Sequence, residues 1–184
     1  MTAVLALDVD GVLNALSRRS RELVVVRIRP EWVTVFTNPE VIDKDVELHI
    51  DRDRDGRFLA AVESLGVQIV WCTTWEDAAN EAIGPLYGLG TRDVLPISEF
   101  ETASGTPVDA KVAAIDAVFP DRPVLWIDDD SWRVKYAWAG RTDRKMMAPA
   151  AHHGLRRSDR EHALRWLLRV TGRDPAGARG LLRG

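Results

Sequence analysis

Along this chain, unbroken apolar runs alternate with stretches in which apolar residues recur every three or four positions. The runs AVLALD (3–8), VQIVWCT (67–73) and PVLWID (123–128) have no polar face. Strands written that way are buried on both sides, as in a parallel sheet covered by helices. Between and beyond them, RFLAAVESL (57–65), WEDAANEAI (75–83), DAKVAAIDAVF (109–119) and SWRVKYAWA (131–139) carry helical spacing, and KMMA (145–148) predicts a further strand. SDREHALRWLLRV (158–170) predicts a terminal helix, with Ser158 as N-cap and Glu161 three residues on. Residues 22–51 break the alternation. There ELVVVRIRPEWVTVFTN and DVELHID alternate and are rich in β-branched residues, which predicts a small antiparallel insert. The expectation is an α/β fold with a central parallel sheet and helices on both faces.

At 184 residues the chain fits one domain, 1–184, with the β insert over about 15–56 and a basic helical segment over 158–184. It is 46% hydrophobic and 29% charged, a globular composition. No apolar run reaches bilayer length, and the N-terminus lacks the order of a signal peptide, so a cytoplasmic protein without a membrane partner is expected. Cys72 is the single cysteine, which rules out an internal disulfide and a cysteine-rich metal site. The net charge of −3 is unevenly spread. Residues 1–140 hold 14 Lys and Arg against 24 Asp and Glu, and residues 141–184 hold 11 against 4. The basic C-terminal part suits either an anionic partner or a solvated helix face. A monomer is expected.

The chemistry sits at the strand ends. The first run closes on Asp8, the second on Thr73 and the third on Asp128 and Asp129. In an open parallel sheet, ligands bind beyond the carboxyl ends of the strands, so these residues are expected to converge. Asp8 and Asp10 are two apart and point to the same side if strand geometry persists. Two carboxylates so placed repel unless one is protonated or a cation lies between them, and a hard cation with oxygen ligands, Mg²⁺ above all, meets that need. DVDG alone reads equally well as a polar turn. The acidic triplet 128–130 after a second buried strand is what tips the balance.

These four stretches, LALDVDGV, VQIVWCTT, Lys111 as the one lysine between residues 45 and 134, and VLWIDDD, resemble the motifs of the haloacid dehalogenase superfamily of phosphohydrolases. The resemblance implies a Rossmann-like fold and a Mg²⁺-dependent phosphatase. Asp8 would be the nucleophile and Asp10 the general acid and base. Thr73 would bind a phosphoryl oxygen, with Thr74 as the alternative register, and Lys111 would pair with phosphate and nucleophile. Mg²⁺ would be held by the Asp8 side chain, the Asp10 backbone carbonyl and the acidic motif, with Asp129 favoured as direct ligand, Asp128 behind it and Asp130 less central. The second aspartate favours a phosphatase over a dehalogenase. The short spacing from Thr74 to Lys111 leaves no room for a large cap domain, so the site is expected to be open.

An open site suits a large substrate, such as an RNA or DNA end. Arg18, Arg19 and Arg21, with Arg27 and Arg29, are candidate phosphate contacts in the insert. Trp32, Trp75 and Trp132 are candidates to stack on a base, against the alternative of core packing. The wording VWCTTWEDAAN, KVAAIDAVFPDRPVLWIDDD and HHGLRRSDREHALRWL also resembles small capless domains associated with bacterial and phage RNA-repair proteins. Small-molecule phosphatase action and non-catalytic binding of nucleic acid or protein are the alternatives. Glu76 and Asn80 share a helical face, with capping or solvation as their expected use. DRDRDG (51–56) imitates a calcium loop, but its twelfth position is Val62 rather than Glu. His152 and His153 are adjacent and lack a third ligand for zinc, His49 and His162 read as ordinary, and Cys72 reads as a buried structural thiol.

Overall fold

The first strand of the chain, β1 (Val4–Leu7), lies at the centre of its sheet with all four residues buried. This computed structural model describes residues 2–17, 22–27, 29, 45–100 and 106–182. β1 pairs in parallel with β4 (Gln68–Trp71) on one side and β6 (Val124–Ile127) on the other, in register from Val4↔Gln68 and Val4↔Val124. β5 (Asp93–Val94) and β7 (Arg144–Met147) extend the two edges, giving the order β5-β4-β1-β6-β7, with every pairing parallel. β2 (Glu22–Arg27) and β3 (Asp45–Ile50) pair antiparallel in a separate two-stranded sheet after β1, as the alternation predicts, while the part of the expected insert over 30–44 lies outside the described residues.

Successive strand residues face opposite ways, so the sheet feeds two cores. Leu5, Leu7, Ile69, Trp71, Leu125 and Ile127 pack with Phe58, Leu59 and Val62 of α1 (Arg52–Ser64) and with Leu164 and Leu167 of α4 (Arg157–Val170). Val4, Ala6, Val70, Val124 and Trp126 pack with Val108, Ala114 and Ile115 of α3 (Pro107–Val118). Each buried aliphatic side chain contributes roughly 1.5–3 kcal/mol relative to exposure, which is why four-residue strands suffice. The result is a Rossmann-like α/β sheet. Among the described residues, no helix is long and apolar enough to cross a membrane.

Several elements differ from expectation, each for a local reason. DRDRDG is the start of α1. Asp51 caps it by accepting from the Arg54 N–H at 3.0 Å, Asp53 pairs with Arg57 one turn on, and Asp55 is fully buried against Arg160 of α4. The segment expected as a helix over 75–83 is α2 (Ala78–Ala82) followed by a 3₁₀ turn at Gly84–Tyr87. Glu76 adopts φ +45°, which prevents a helix from starting at Trp75. The stretch 131–139 is helical only as 3₁₀ at Ser131–Val134, because Asp128 draws the chain tight: its carboxylate accepts from Asp130 N–H and its carbonyl from Ser131 N–H. α4 begins at Arg157, with Arg156 as N-cap. The Asp159 carboxylate accepts from Arg156 N–H at 2.8 Å, and Ser158 sits inside the first turn. Leu155, whose N–H donates to the Val12 carbonyl, fixes that earlier entry. The tail forms a short helix, α5 (Ala178–Leu181), held by Arg179 against Glu161 at 3.1 Å.

Candidate active site

β1 leads straight into Asp8, whose backbone N–H still donates to the Ile127 carbonyl of β6 at 3.0 Å. The Asp8 carboxylate is fixed at both oxygens, one accepting from Val9 N–H and the other from the Lys111 ammonium, each at 2.8 Å. Lys111 reaches the site from the first half of α3, where it is nearly fully buried. Its ammonium also pairs with Asp128, at 2.6 Å. Asp128 follows β6 and is completely buried, and Asp129 beside it is half-buried. One carboxylate oxygen from each of Asp8, Asp128 and Asp129 falls within 4.8 Å of the other two.

Three carboxylates facing one ammonium leave an excess of negative charge in a buried place. Burial, and then the Asp8 charge, pushes the Asp128 carboxyl up to about 7. Burial and the charges of Asp8 and Asp130 push Asp129 up to about 6. For Lys111 burial works downward, but Asp8 and Asp128 outweigh it and hold the ammonium firmly protonated. Such a cluster suits a divalent cation with oxygen ligands. Asp128 is already committed to Lys111 and to the Asp130 N–H, whereas Asp129 is open to solvent on one side.

Gly11 explains why the turn after Asp10 is tight. It adopts φ +71°, and a Cβ placed there would overlap the carboxylate of Asp129. The glycine therefore does more than turn the chain: it lets the acidic loop after β6 close onto the loop after β1.

Asp10 makes its side-chain hydrogen bonds to neighbours other than the Asp8 cluster. Its carboxylate accepts from Asn14 Nδ2 at 2.7 Å and from Trp75 Nε1 at 2.8 Å. Burial raises its carboxyl above the ordinary value, against the downward pull of those two hydrogen bonds. Trp75, a candidate for base stacking, donates its indole N–H to Asp10. Asn14 was not singled out in the sequence, although the Asn closing DGVLN is a typical turn residue. Its Oδ1 accepts from the His49 N–H of β3 at 2.8 Å, so one side chain ties β3 to Asp10.

Thr73 is fully buried at the end of the strand run, and its hydroxyl accepts from Trp75 N–H at 3.3 Å. Thr74 is half-buried beside it. Glu76 combines its positive φ with a buried carboxylate oxygen that has no hydrogen-bond partner among the described residues. Asn80 is structural: its amide oxygen accepts from Trp71 Nε1 and Arg92 N–H, which locks the β5 loop onto β4. Cys72 is buried, and burial pushes its thiol well up, so it stays protonated. Trp132 is 60% exposed rather than packed. Arg18, Arg19, Arg21 and Trp32 lie outside the described residues, and Arg29 pairs with Glu81 of α2 at 2.9 Å.

Asp8, Asp10, Thr73, Lys111, Asp128 and Asp129 thus come from four separate parts of the sequence to the carboxyl end of one sheet. No family model, no curated protein and no solved structure matches the chain.

Proposed function

We propose that this protein is a Mg²⁺-dependent phosphatase that works through an aspartyl-phosphate on Asp8, as its resemblance to the haloacid dehalogenase superfamily implies. One observation carries the reading: Lys111 bridges two buried carboxylates, Asp8 and Asp128, with Asp129 alongside, beyond the carboxyl end of the central strands. A purely structural role would not call for three carboxylates around a single ammonium.

Asp8 and Asp129 would hold Mg²⁺, with Asp128 oriented behind them by Lys111. When bound, the metal lowers the repulsion between an incoming phosphate dianion and the Asp8 carboxylate. The chain does the rest. Lys111 and the Val9 N–H fix the plane of the Asp8 carboxylate before phosphate arrives. An Asp8 oxygen forms a bond to phosphorus while the bond to the ester oxygen breaks. Asp10, raised in pKa by burial, gives its proton to that leaving oxygen. Asp10 then takes a proton from the water that attacks the phosphorus of the aspartyl-phosphate, releasing inorganic phosphate and restoring Asp8. The Thr73 hydroxyl, at the end of the neighbouring strand, is suited to a phosphoryl oxygen.

The test is phosphate release with Mg²⁺ or EDTA by wild type and Asp8→Asn. Mg²⁺-dependent release lost in the variant supports the reading, and turnover retained by Asp8→Asn overturns it. A non-catalytic binding module is the second reading, and the complete set of acid, base and cation-binding groups weighs against it.

A further inference from the structure

We infer that the cleft opening beside the acidic triplet takes the nucleotide unit attached to the phosphate that Asp8 attacks. The identity of the phosphate rests on the phosphatase reading, whereas the cleft's affinity for a nucleotide does not. The cleft is a cavity of about 350 Å³ lined by Ser131, Trp132, Lys135, Trp138, Met146 and Ala148, together with neighbouring parts of β7. That is enough for a small ligand, since such pockets run from roughly 300 to 1,000 Å³.

Its position links it to the active site. Ser131 N–H donates to the Asp128 carbonyl, and Asp128 N–H donates to the carbonyl of Met147, next to Ala148. The cleft therefore starts within a few residues of the proposed metal site, between the turn that continues the acidic loop and β7, the strand paired with β6.

Its chemistry specifies the occupant. Trp132, in the cleft lining, is 60% exposed, and Tyr136, four residues on and outside that lining, is 76% exposed, an expensive way to display aromatic rings unless something covers them. Cations alternate with them. The Arg133 guanidinium, which also pairs with Asp130 at 3.2 Å, lies 5.6 Å from the Trp132 ring centre, and the Lys135 ammonium lies 5.0 Å from that of Tyr136. Exposed aromatics interleaved with cations form a platform on which bases stack and along which phosphates are neutralised. Arg144 adds shape rather than charge recognition, because its guanidinium is spent on the carbonyls of Phe119, Pro120 and Arg122. The Ser131 hydroxyl is buried in the cleft wall with no hydrogen-bond partner among the described residues. A buried hydroxyl left unpaired calls for one, and a ribose hydroxyl or phosphate oxygen would supply it. A sugar phosphate would use neither ring, and a plain alkyl phosphate would leave the whole cleft empty.

The experiment measures binding without turnover. Fluorescein-labelled single-stranded oligonucleotides, phosphorylated at one end or the other, and a labelled mononucleotide are titrated by anisotropy into Asp8→Asn protein. The same is done with Trp132→Ala or Lys135→Ala added. Trp132→Ala is expected to weaken binding roughly 5- to 150-fold, the value of one stacked base. Lys135→Ala is expected to weaken it and to reduce the salt slope by about one. The oligonucleotide and mononucleotide arms distinguish a polynucleotide end from a free nucleotide. In the Asp8-intact protein, Trp132→Ala should lower the ratio of kcat/KM for the preferred nucleotide substrate over glycerol phosphate by a similar factor. Binding by Trp132→Ala within about twofold of its parent overturns the inference, as does a phosphotyrosine peptide that displaces the oligonucleotide and outcompetes it. Absence of turnover on every substrate, with Trp132-dependent binding intact, would remove the phosphatase reading and leave the cleft assignment standing.

Discussion

Without divalent cations, raising the pH from about 5 to about 8 is expected to destabilise this protein, the reverse of ordinary acid denaturation. Asp128 is pushed up to about 7 and Asp129 to about 6, from an ordinary value of 3.8. The native protein therefore holds both protons where the unfolded chain has released them. Their contribution to stability is full below the unfolded value and is lost as pH rises through the folded ones. At about 1.36 kcal/mol per pKa unit, Asp128 loses two units above pH 5, roughly 3 kcal/mol. Asp129 loses one unit, and being half-exposed it contributes less than about 1 kcal/mol after screening. The total is on the order of 3 kcal/mol, or about 6–12 °C in melting temperature for a chain of this size. The window avoids Asp143 and Glu161, whose lowered values cost stability only in more acidic solution. His162, lowered by burial and then by Lys145, contributes a slope of opposite sign near its ordinary value of 6.5. Mg²⁺ binds the deprotonated cluster, so it should restore stability at the upper pH and do little at the lower, by about 2.7 kcal/mol at a concentration 100 times its Kd. Thermal and urea unfolding in EDTA or Mg²⁺ at both pH values measures this, and Asp8→Asn should flatten both dependences. Stability that is level or rising between the two pH values in EDTA would refute the reasoning, as would equal stabilisation by Mg²⁺ at both.

Gly11→Ala should cost about 1–2 kcal/mol for the left-handed backbone alone, and it should weaken Mg²⁺ binding in calorimetric titration because the new methyl displaces Asp129. Trp75→Phe keeps the ring but removes the donor to Asp10. The loss of one hydrogen bond, roughly 0.5–1.5 kcal/mol, should appear as a several-fold fall in kcat with KM little changed, whereas a mere packing role would leave kcat intact. Asp55→Ala strands the Arg160 guanidinium in the core and should lower unfolding free energy by about 3–5 kcal/mol, with Asp55→Leu/Arg160→Met recovering most of it in urea melts.

The sequence exposed those parts of the molecule that follow a period or a strand end. VLAL, QIVW and VLWI are apolar throughout because each is buried on both faces, and the residues closing them meet because parallel strands end at one edge. β5 escaped notice because two residues, Asp93 and Val94, have no period to display. The late start of α2 comes from the positive φ of Glu76, and the departure of 131–139 from helix comes from hydrogen bonds made by Asp128, a residue outside that stretch. Trp75 and Trp132 show the limit most plainly. Both are tryptophans one or two positions past a strand-end motif, yet one donates to Asp10 and the other faces solvent. Only the path of the chain after each strand decides between them. Asn14 was hidden for a similar reason: its partner, the backbone of His49, is 35 residues away.

The central place of β1 bears on how the protein is made. β1 leaves the ribosome before both of its sheet partners and must wait for β4, and then for β6, before its two edges are satisfied. Until residue 127 has emerged, one side of a wholly apolar strand has no native neighbour, and the buried Asp55 waits longer still, for Arg160. Contacts so distant in sequence close slowly and leave sticky edges exposed during synthesis. The β2–β3 pair, which lies between β1 and β4 in sequence and joins the β1 loop through Asn14, is placed to occupy that interval. Shortening or unpairing it should show first as a loss of yield and a demand for chaperones, before any change in the finished protein.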